Sequence, residues 1–452
     1  MFEALTKSVT ERKSVFGGME KFLVIWIGQV ISIIGSGLTS FALGVWVYQE
    51  TGSASQYALI LLSFAIPNLL FSPVAGAIAD RWDRRKVMIL SDSGAALSTL
   101  FIALLLAAGR LEPWHIYLSA ALNSTFGVFQ HPAYTAATTM IVPKKHLARA
   151  SGLTQMGRAI SQIAAPMLAG ILIGKIRIQG VILVDFLTFF FAVGALLLVR
   201  IPHPEPTTEE AETERSMWKD ASFGWAYLMK RPGLMGLLSM FALVNFSMGM
   251  VSALFTPMVL SFSSADSLGL ILSIGGVGML VGSLTMSAWG GPKRRIYGLL
   301  GFILLAGLFT MVTGFRASAL LIAAGSFGLF FCVPLANGCS QAIWQTKVAP
   351  DVQGRVFAAR SMAAMSAQPI AYILAGPLAD RVFVPLLRTD GILAGTLGRL
   401  IGTGPGRGMG LMFIILGSTI VLTAIAGYAY PRIRKVEDEL PDTMVRDDAQ
   451  TN

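Results

Sequence analysis

Twelve apolar stretches recur along this chain, near 22–48, 54–79, 87–108, 114–142, 150–173, 180–200, 233–261, 267–289, 296–315, 318–346, 356–380 and 408–430. Each is close to or above the roughly 20 residues a helix needs to cross a ~30 Å hydrocarbon layer. Of the 452 residues 54% are apolar and 13% charged, against about 25% charged in an ordinary soluble domain. The pattern predicts an all-α membrane protein with twelve transmembrane helices. Stretches longer than needed predict tilt, or ends that reach past the hydrocarbon.

Charge placement orients these spans, because Lys and Arg in short loops mark the cytoplasmic side. An even number of spans puts both termini on one face. With both inside, the inner segments carry 26 of the 35 Lys and Arg, the outer loops 8, and Arg158 falls within a span. Most outer cations lie in one loop, 381–407, with Arg381, Arg388, Arg399 and Arg407. The net charge of +10 is therefore spread over short turns that face anionic lipid, which argues against a nucleic-acid surface.

Several function classes are excluded. Residues 1–21 are polar and charged, unlike a secretory signal. Cys332 and Cys339 lie seven apart on one predicted helix, too far for an internal disulfide. No Gly-rich phosphate loop ends in Lys-Ser/Thr, and four scattered His with two Cys offer no metal-ligand spacing. GTGPGRG (Gly402 to Gly408) lacks a preceding strand and reads as a flexible outer turn. No enzyme chemistry, cofactor or metal is expected.

The chain divides into two similar halves. A shift of 206 places Arg149 on Arg355, Met156 on Met362, Gln162 on Gln368, Leu168-Ala169-Gly170 on Leu374-Ala375-Gly376, and Gly76 on Gly282. Internal repeats of this kind are how many transporters are built. Between the halves, Pro202 to Asp220 is acidic, Pro-rich and without apolar period, followed by a short interfacial helix around Trp218 to Lys230. The expected organisation is a cytoplasmic segment 1–21, a six-helix bundle 22–200, a cytoplasmic linker 201–232, a second six-helix bundle 233–430, and a cytoplasmic tail 431–452.

One cluster carries a family resemblance. GAIADRWDRRK (Gly76 to Lys86) resembles the major facilitator superfamily signature G-x-x-x-D-R/K-x-G-R/K-R/K between spans two and three, through Gly76, Asp80, Arg81, Arg84 and Arg85. Asp83 stands where the family has glycine, so the turn relies on the tolerance of Asp for αL. Trp46 to Ser53, the ADRWDRRK loop and Ile401 to Gly408 are similar to the bacterial drug:proton antiporter branch that includes macrolide efflux and siderophore export proteins. The resemblance implies two pseudo-symmetric six-helix bundles, the major facilitator fold, in a bacterial inner membrane.

The physics of the signature is readable independently. Gly76 permits close approach of another helix, and Asp80 is a carboxylate suited to the positive N-terminal end of span eleven near Arg355. The resemblance implies a latch of Gly76, Asp80, Arg81, Arg84 and Arg85, and Asp92, about one and a half turns past the cationic loop, is expected to join it by pairing with Arg81 or Arg84. For Arg84, Arg85 and Lys86 two readings stand, topology anchor and gating group. A similar string, LAGPLADR (Leu374 to Arg381), ends span eleven on the outer side and reads as structural.

In the superfamily spans one, four, seven and ten line the cavity, which implies a substrate site of Gln29, Ser36, Asn123, Phe126, Gln130, His131, Asn245, Asn337, Gln341 and Trp344. Aromatic walls with scattered hydrogen-bonding groups and little fixed charge suit a large amphiphile. Proton-coupling candidates are His131, Asp185 and Asp92. His131 has two readings, a proton carrier or a structural residue before Pro132, and Asp185 lies near an outer loop holding Lys175 and Arg177. Gly157 through Ala165-Pro166 and Ala169-Gly170 loosely resembles the antiporter signature, with alanines for two of its glycines. The expectation is a monomeric secondary active exporter of small amphiphiles driven by protons. The alternatives are a siderophore or metabolite exporter, and a non-transporting receptor or scaffold of the same fold.

The topology predicts the outcome of single-cysteine labelling in intact cells: Ser53→Cys and Asp390→Cys react with an impermeant maleimide, and Thr208→Cys does not. Labelling at position 208 would contradict the twelve-span arrangement.

Overall fold

The computed structural model describes residues 19–199, 201, 217–349 and 352–439, with side chains at 73, 74, 76–81 and 217–222 outside the described set. The described residues form helices without strands. The long ones are α1 (Glu20–Thr51), α2 (Ala54–Arg81), α3 (Arg84–Ala107), α4 (Pro113–Ile141), α5 (Leu147–Leu198), α6 (Met217–Met229), α7 (Pro232–Leu260), α8 (Ala265–Trp289), α9 (Arg295–Phe315), α10 (Ala319–Lys347), α11 (Gln353–Leu378) and α12 (Arg407–Ala429). Residues 1–18, linker residues 202–216 and the tail from 440 lie outside the described residues.

Among the described residues ten segments are long and apolar enough to cross a membrane, against twelve expected. One of them, Lys144–Leu198, covers both the fifth and sixth expected spans. Its helix α5 has 52 residues, about 78 Å of rise, more than twice the hydrocarbon thickness. It breaks at Arg177, whose φ of 58° and ψ of 178° are non-helical. The other expected span, α4, has 29 residues but is not among the ten, since Asn123, Gln130, His131 and several hydroxyl side chains reduce its apolarity. Large apolar side chains stand outward on many helices, including Leu284, Leu320 and Leu422, as expected where lipid is the solvent.

Two compact units emerge. The first comprises Met1–Trp46 and Ser63–Pro206, and the second Val47–Leu62 and Thr207–Asn452. The break at Pro206/Thr207 falls within the expected linker 201–232, and the second unit also takes in Val47–Leu62, which holds the α1–α2 turn. Asp380 holds it there: its carboxylate accepts from the Ser53 hydroxyl at 2.7 Å and from the Ala54 and Ser55 N–H groups at 3.1 and 2.9 Å. These are unsatisfied donors of a helix N-terminus, to which a carboxylate is doubly suited by hydrogen bonding and by the dipole. Gly376 on α11 lies so close to Ser55 that a Cβ would clash with its backbone. LAGPLADR is thus structural in a specific sense, a cap for the start of α2.

Within the first unit α3 packs against α4 and α5. Asp83 N-caps α3, accepting from the Arg85 and Lys86 N–H groups at 2.9 and 3.2 Å. Its φ of −59° corrects the expectation that the turn needs a left-handed residue: the position calls for a cap, which Asp supplies and glycine cannot.

In the second unit α9 crosses α12 and α10, and α10 packs on α8. A Cβ added at Gly307 would lie 2.8 Å from the Gly417 carbonyl oxygen, and one at Gly417 would lie 2.6 Å from that of Gly307. Gly314 and Gly410 repeat this contact seven residues away on each helix, the small-residue seam by which membrane helices associate. Gly282, the repeat partner of Gly76, presses α8 on the Phe331 carbonyl of α10. The surroundings of Gly76 lie outside the described set, so its own expected close approach is not described. α6 falls where an interfacial helix is expected and packs on α11, with Gly224 against the Arg355 carbonyl.

Arg407, expected in the outer loop, is instead 4% exposed and begins α12. It donates to the Gly314 carbonyl in the last turn of α9, an orphan acceptor at a helix end. Glu437 caps the opposite end of α9, accepting from the Arg295 and Ile296 N–H groups at 3.1 and 2.9 Å.

The glycine seam generates a stability test. Gly307→Leu or Gly417→Leu forces a side chain into a backbone carbonyl, an overpacking cost of about 1–3 kcal/mol or more. Gly301→Leu, on the same helix with nothing within 4 Å of its Cβ, is the control. Thermal midpoints in lipid nanodiscs are expected to fall for the first two and hold for the third; equal midpoints would contradict the close crossing.

Candidate functional site

The first unit carries its polar chemistry at a buried carboxylate. Asp92 on α3 is 9% exposed and Gln29 on α1 is 6% exposed. The Gln29 amide donates to Asp92 Oδ2 at 3.0 Å, and the Gln130 amide of α4 donates to Oδ1 at 2.5 Å and to Gln29 Oε1 at 2.9 Å. Three helices thus meet at one carboxylate, and the amide orientation follows from the need to avoid oxygen against oxygen. Of the expected partners Arg81 and Arg84, the second is not paired with Asp92. Arg84 begins the helix eight residues earlier, about 12 Å of rise away, and turns its guanidinium to Met140. The side chain of Arg81 lies outside the described residues. No cation pairs with Asp92 among the described residues.

The other cations of the loop also have local uses. Arg85 donates from Nε to the Leu196 carbonyl at 2.7 Å and from Nη2 to that of Leu197 at 2.9 Å, satisfying the end of α5 where a positive charge also complements the dipole. The side-chain environments of Gly76, Asp80 and Arg81 lie outside the described residues, so the latch itself is not described.

Asp185, in the second limb of α5, is 6% exposed and accepts from the Ser36 hydroxyl at 3.3 Å. Gly35 makes room for it: a Cβ there would touch the Asp185 side chain and backbone. Its hydrogen-bond partner thus lies on α1, not in the nearby loop of Lys175 and Arg177. His131 is exposed on α4. Asn123 is tied to Ser98 at 2.5 Å and to the Ser119 carbonyl at 3.0 Å, and Phe126 packs its ring over Gly94. The expected cavity residues of the first unit are therefore divided between two carboxylate clusters, a polar tie and a packing contact.

The second unit brings its expected residues together. Asn245, Asn337, Gln341 and Trp344 line one cavity of about 430 Å³. Three helices each offer a stripe at i, i+3/i+4, i+7 spacing: Leu238, Phe241 and Asn245 on α7; Asn337, Gln341 and Trp344 on α10; Phe357, Arg360 and Ala364 on α11. Prolines at 257, 334, 369 and 377 interrupt these helices, removing backbone donors.

Sequence reasoning missed Arg360. Its position four residues into the eleventh apolar stretch made it read as an inner-loop charge, whereas α11 begins at Gln353 and carries it into the cavity wall. The signal was its helical phase, three residues after Phe357 and four before Ala364. It corrects the expectation of a cavity with little fixed charge.

The comparisons agree with this architecture. The Major Facilitator Superfamily profile matches residues 25–372. Macrolide efflux protein A of Streptococcus pyogenes is 29% identical over 375 residues, covering 80% of this chain and 90% of that protein. Enterobactin exporter EntS of Salmonella typhimurium is 25% identical over 346 residues, covering 74% and 80%. Among solved structures, a bacterial homologue of the human lysosomal transporter Spinster has a TM-score of 0.69 at 14% identity, covering 94% of this chain and 99% of that one, a likeness of fold. With a profile match over most of its length and helices of the corresponding architecture, the chain belongs to the Major Facilitator Superfamily.

Proposed function

We propose that this protein is a secondary active exporter of small amphiphilic compounds, exchanging them for protons at Asp92. The observation that supports it most is the buried carboxylate whose partners among the described residues are Gln29 and Gln130. An ionisable group within a membrane span is costly and marks ion pathways and proton relays. As a carboxylate Asp92 only accepts hydrogen bonds; a proton makes it a donor, so one amide must rotate to present oxygen. Protonation therefore rewrites the contact joining α1, α3 and α4, which gives the coupling step a structural consequence. Asp185 with Ser36 is a second candidate, and His131, exposed and without such a cluster, ranks below both.

The relatives support the direction of transport: proteins named for macrolide efflux and enterobactin export are similar over most of this chain. The protein acts as a monomer in a bacterial plasma membrane, with both termini cytoplasmic and its basic turns on anionic lipid. Gly76 and Asp80 serve as the conformational latch, with Arg84 and Arg85 as the local ties described above.

Flux into proteoliposomes with and without an imposed pH gradient tests the coupling. Asp92→Asn is expected to lose gradient-driven accumulation at least tenfold, about 1.4 kcal/mol or more, while downhill exchange continues. Asp185→Asn loses less, and His131→Gln retains full activity. Asp80→Asn slows both modes by several-fold, the effect of removing about 1 kcal/mol at a helix end. Full gradient-driven accumulation by Asp92→Asn would refute its role.

A further inference from the structure

The cavity of the second unit has a chemistry that its aromatic and amide residues do not explain. Arg360 is half-buried seven residues into α11, a helix long and apolar enough to span a membrane, within which an uncompensated charge is expensive. Of its five N–H donors two are engaged, Nη1 on Gln341 Oε1 and Nη2 on the Ser340 hydroxyl, each at 3.1 Å. Both acceptors are neutral, and no carboxylate pairs with it among the described residues. The rings of Trp344 and Phe241 stand 5.1 and 5.9 Å from the guanidinium carbon and hold the cation in place without neutralising it.

A second observation points the same way. Trp344 is 1% exposed and backs the same cavity, and its indole N–H, itself buried, has no acceptor among the described residues. Buried donors of this kind are normally satisfied. Gln341 adds to them, because its carbonyl is occupied by Arg360 and its amide N–H groups remain. The wall therefore offers the remaining donors of Arg360 and Gln341, and its lining holds no carboxylate.

We infer that this cavity binds an anionic amphiphile, an aromatic body bearing a carboxylate or similarly acidic oxygen, and that Arg360 is the residue that selects its charge. The inference rests on the export reading for its physiological meaning, and it narrows the substrate class. The volume of about 430 Å³ lies in the range that holds a compact ring system. The acidic oxygens meet the free guanidinium edge, while Phe241 and Trp344 take the apolar body. A cationic amphiphile meets like charge at the same point and is rejected there.

The test uses full-length protein in neutral-lipid nanodiscs and three probes of one shape, naphthaleneacetate, naphthaleneacetamide and naphthylethylamine, with binding measured by calorimetry. Wild type is expected to bind the carboxylate about tenfold or more tightly than the amide, as a hydrogen bond to a charged group would provide, and the amine most weakly. Arg360→Gln erases the preference, and Arg360→Lys retains the order. A wild-type protein that binds the amide or amine as tightly as the carboxylate, or that fails to bind the carboxylate, overturns the proposal. An equal loss for all three probes in Arg360→Gln also overturns it, because Arg360 is then only a tie between α10 and α11. If Arg360→Gln does not fold, the wild-type order and Arg360→Lys decide. Gradient-driven uptake of the same probes separates this inference from the export reading. The binding order without accumulation refutes export alone, and accumulation without charge preference refutes the anionic site alone.

Discussion

A hydrocarbon layer offers no water to an unpaired backbone group, so every helix end and break near it must be closed by the protein itself. This constraint explains where the chain spends its charges. Asp83 closes the start of α3, Asp380 the start of α2, and Glu437 the start of α9. Arg85 closes the end of α5, and Arg407 that of α9. In each case the sign of the charge matches the end of the helix dipole it meets. Residues that resemble parts of a moving latch thus have a static task first, and their removal tests folding before it tests gating.

Charges left over from that task are few, and they mark function. In the first unit Asp92 sits among amides from two other helices; in the second Arg360 sits among rings and neutral acceptors. Each is a charge-bearing group without an opposite partner among the described residues, a state that membrane burial makes costly. A group of this kind persists only if something transient settles it. For an acid the simplest such partner is a proton, and for a cation it is an anionic ligand. The two proposals share this physical basis but can fail separately.

Much of the fold was legible in the sequence because the bilayer reduces it to length and apolarity. The stretches and the short helix at Met217–Met229 follow from apolar length and pattern, whereas the grouping of Asn245, Asn337, Gln341 and Trp344 came from the family resemblance, and the structure places these four on one cavity. What was not legible depended on partners distant in sequence. Asp92 is six residues from a cationic loop, and proximity along the chain pointed to arginine; Gln29 and Gln130 reach it from 63 and 38 residues away. Asp380 bonds a turn more than 320 residues distant. Arg360 and Arg407 were assigned to loops because a charge near the edge of an apolar stretch lowers its hydropathy, whether the helix stops there or continues. The glycine seam of α9 and α12 was hidden for a different reason: glycine is frequent throughout such helices, and only the approach of a backbone carbonyl distinguishes Gly307 from Gly301.

The most direct test of the central claim is proton movement driven by substrate. Proteoliposomes loaded with a pH-sensitive dye, without an imposed gradient, receive a substrate pulse on one side. Exchange predicts a pH change inside the vesicles that depends on substrate and protein, of the sign that moves protons opposite to substrate, and its loss in Asp92→Asn with substrate movement retained. Substrate flux through the wild-type protein with no accompanying pH change would contradict the account.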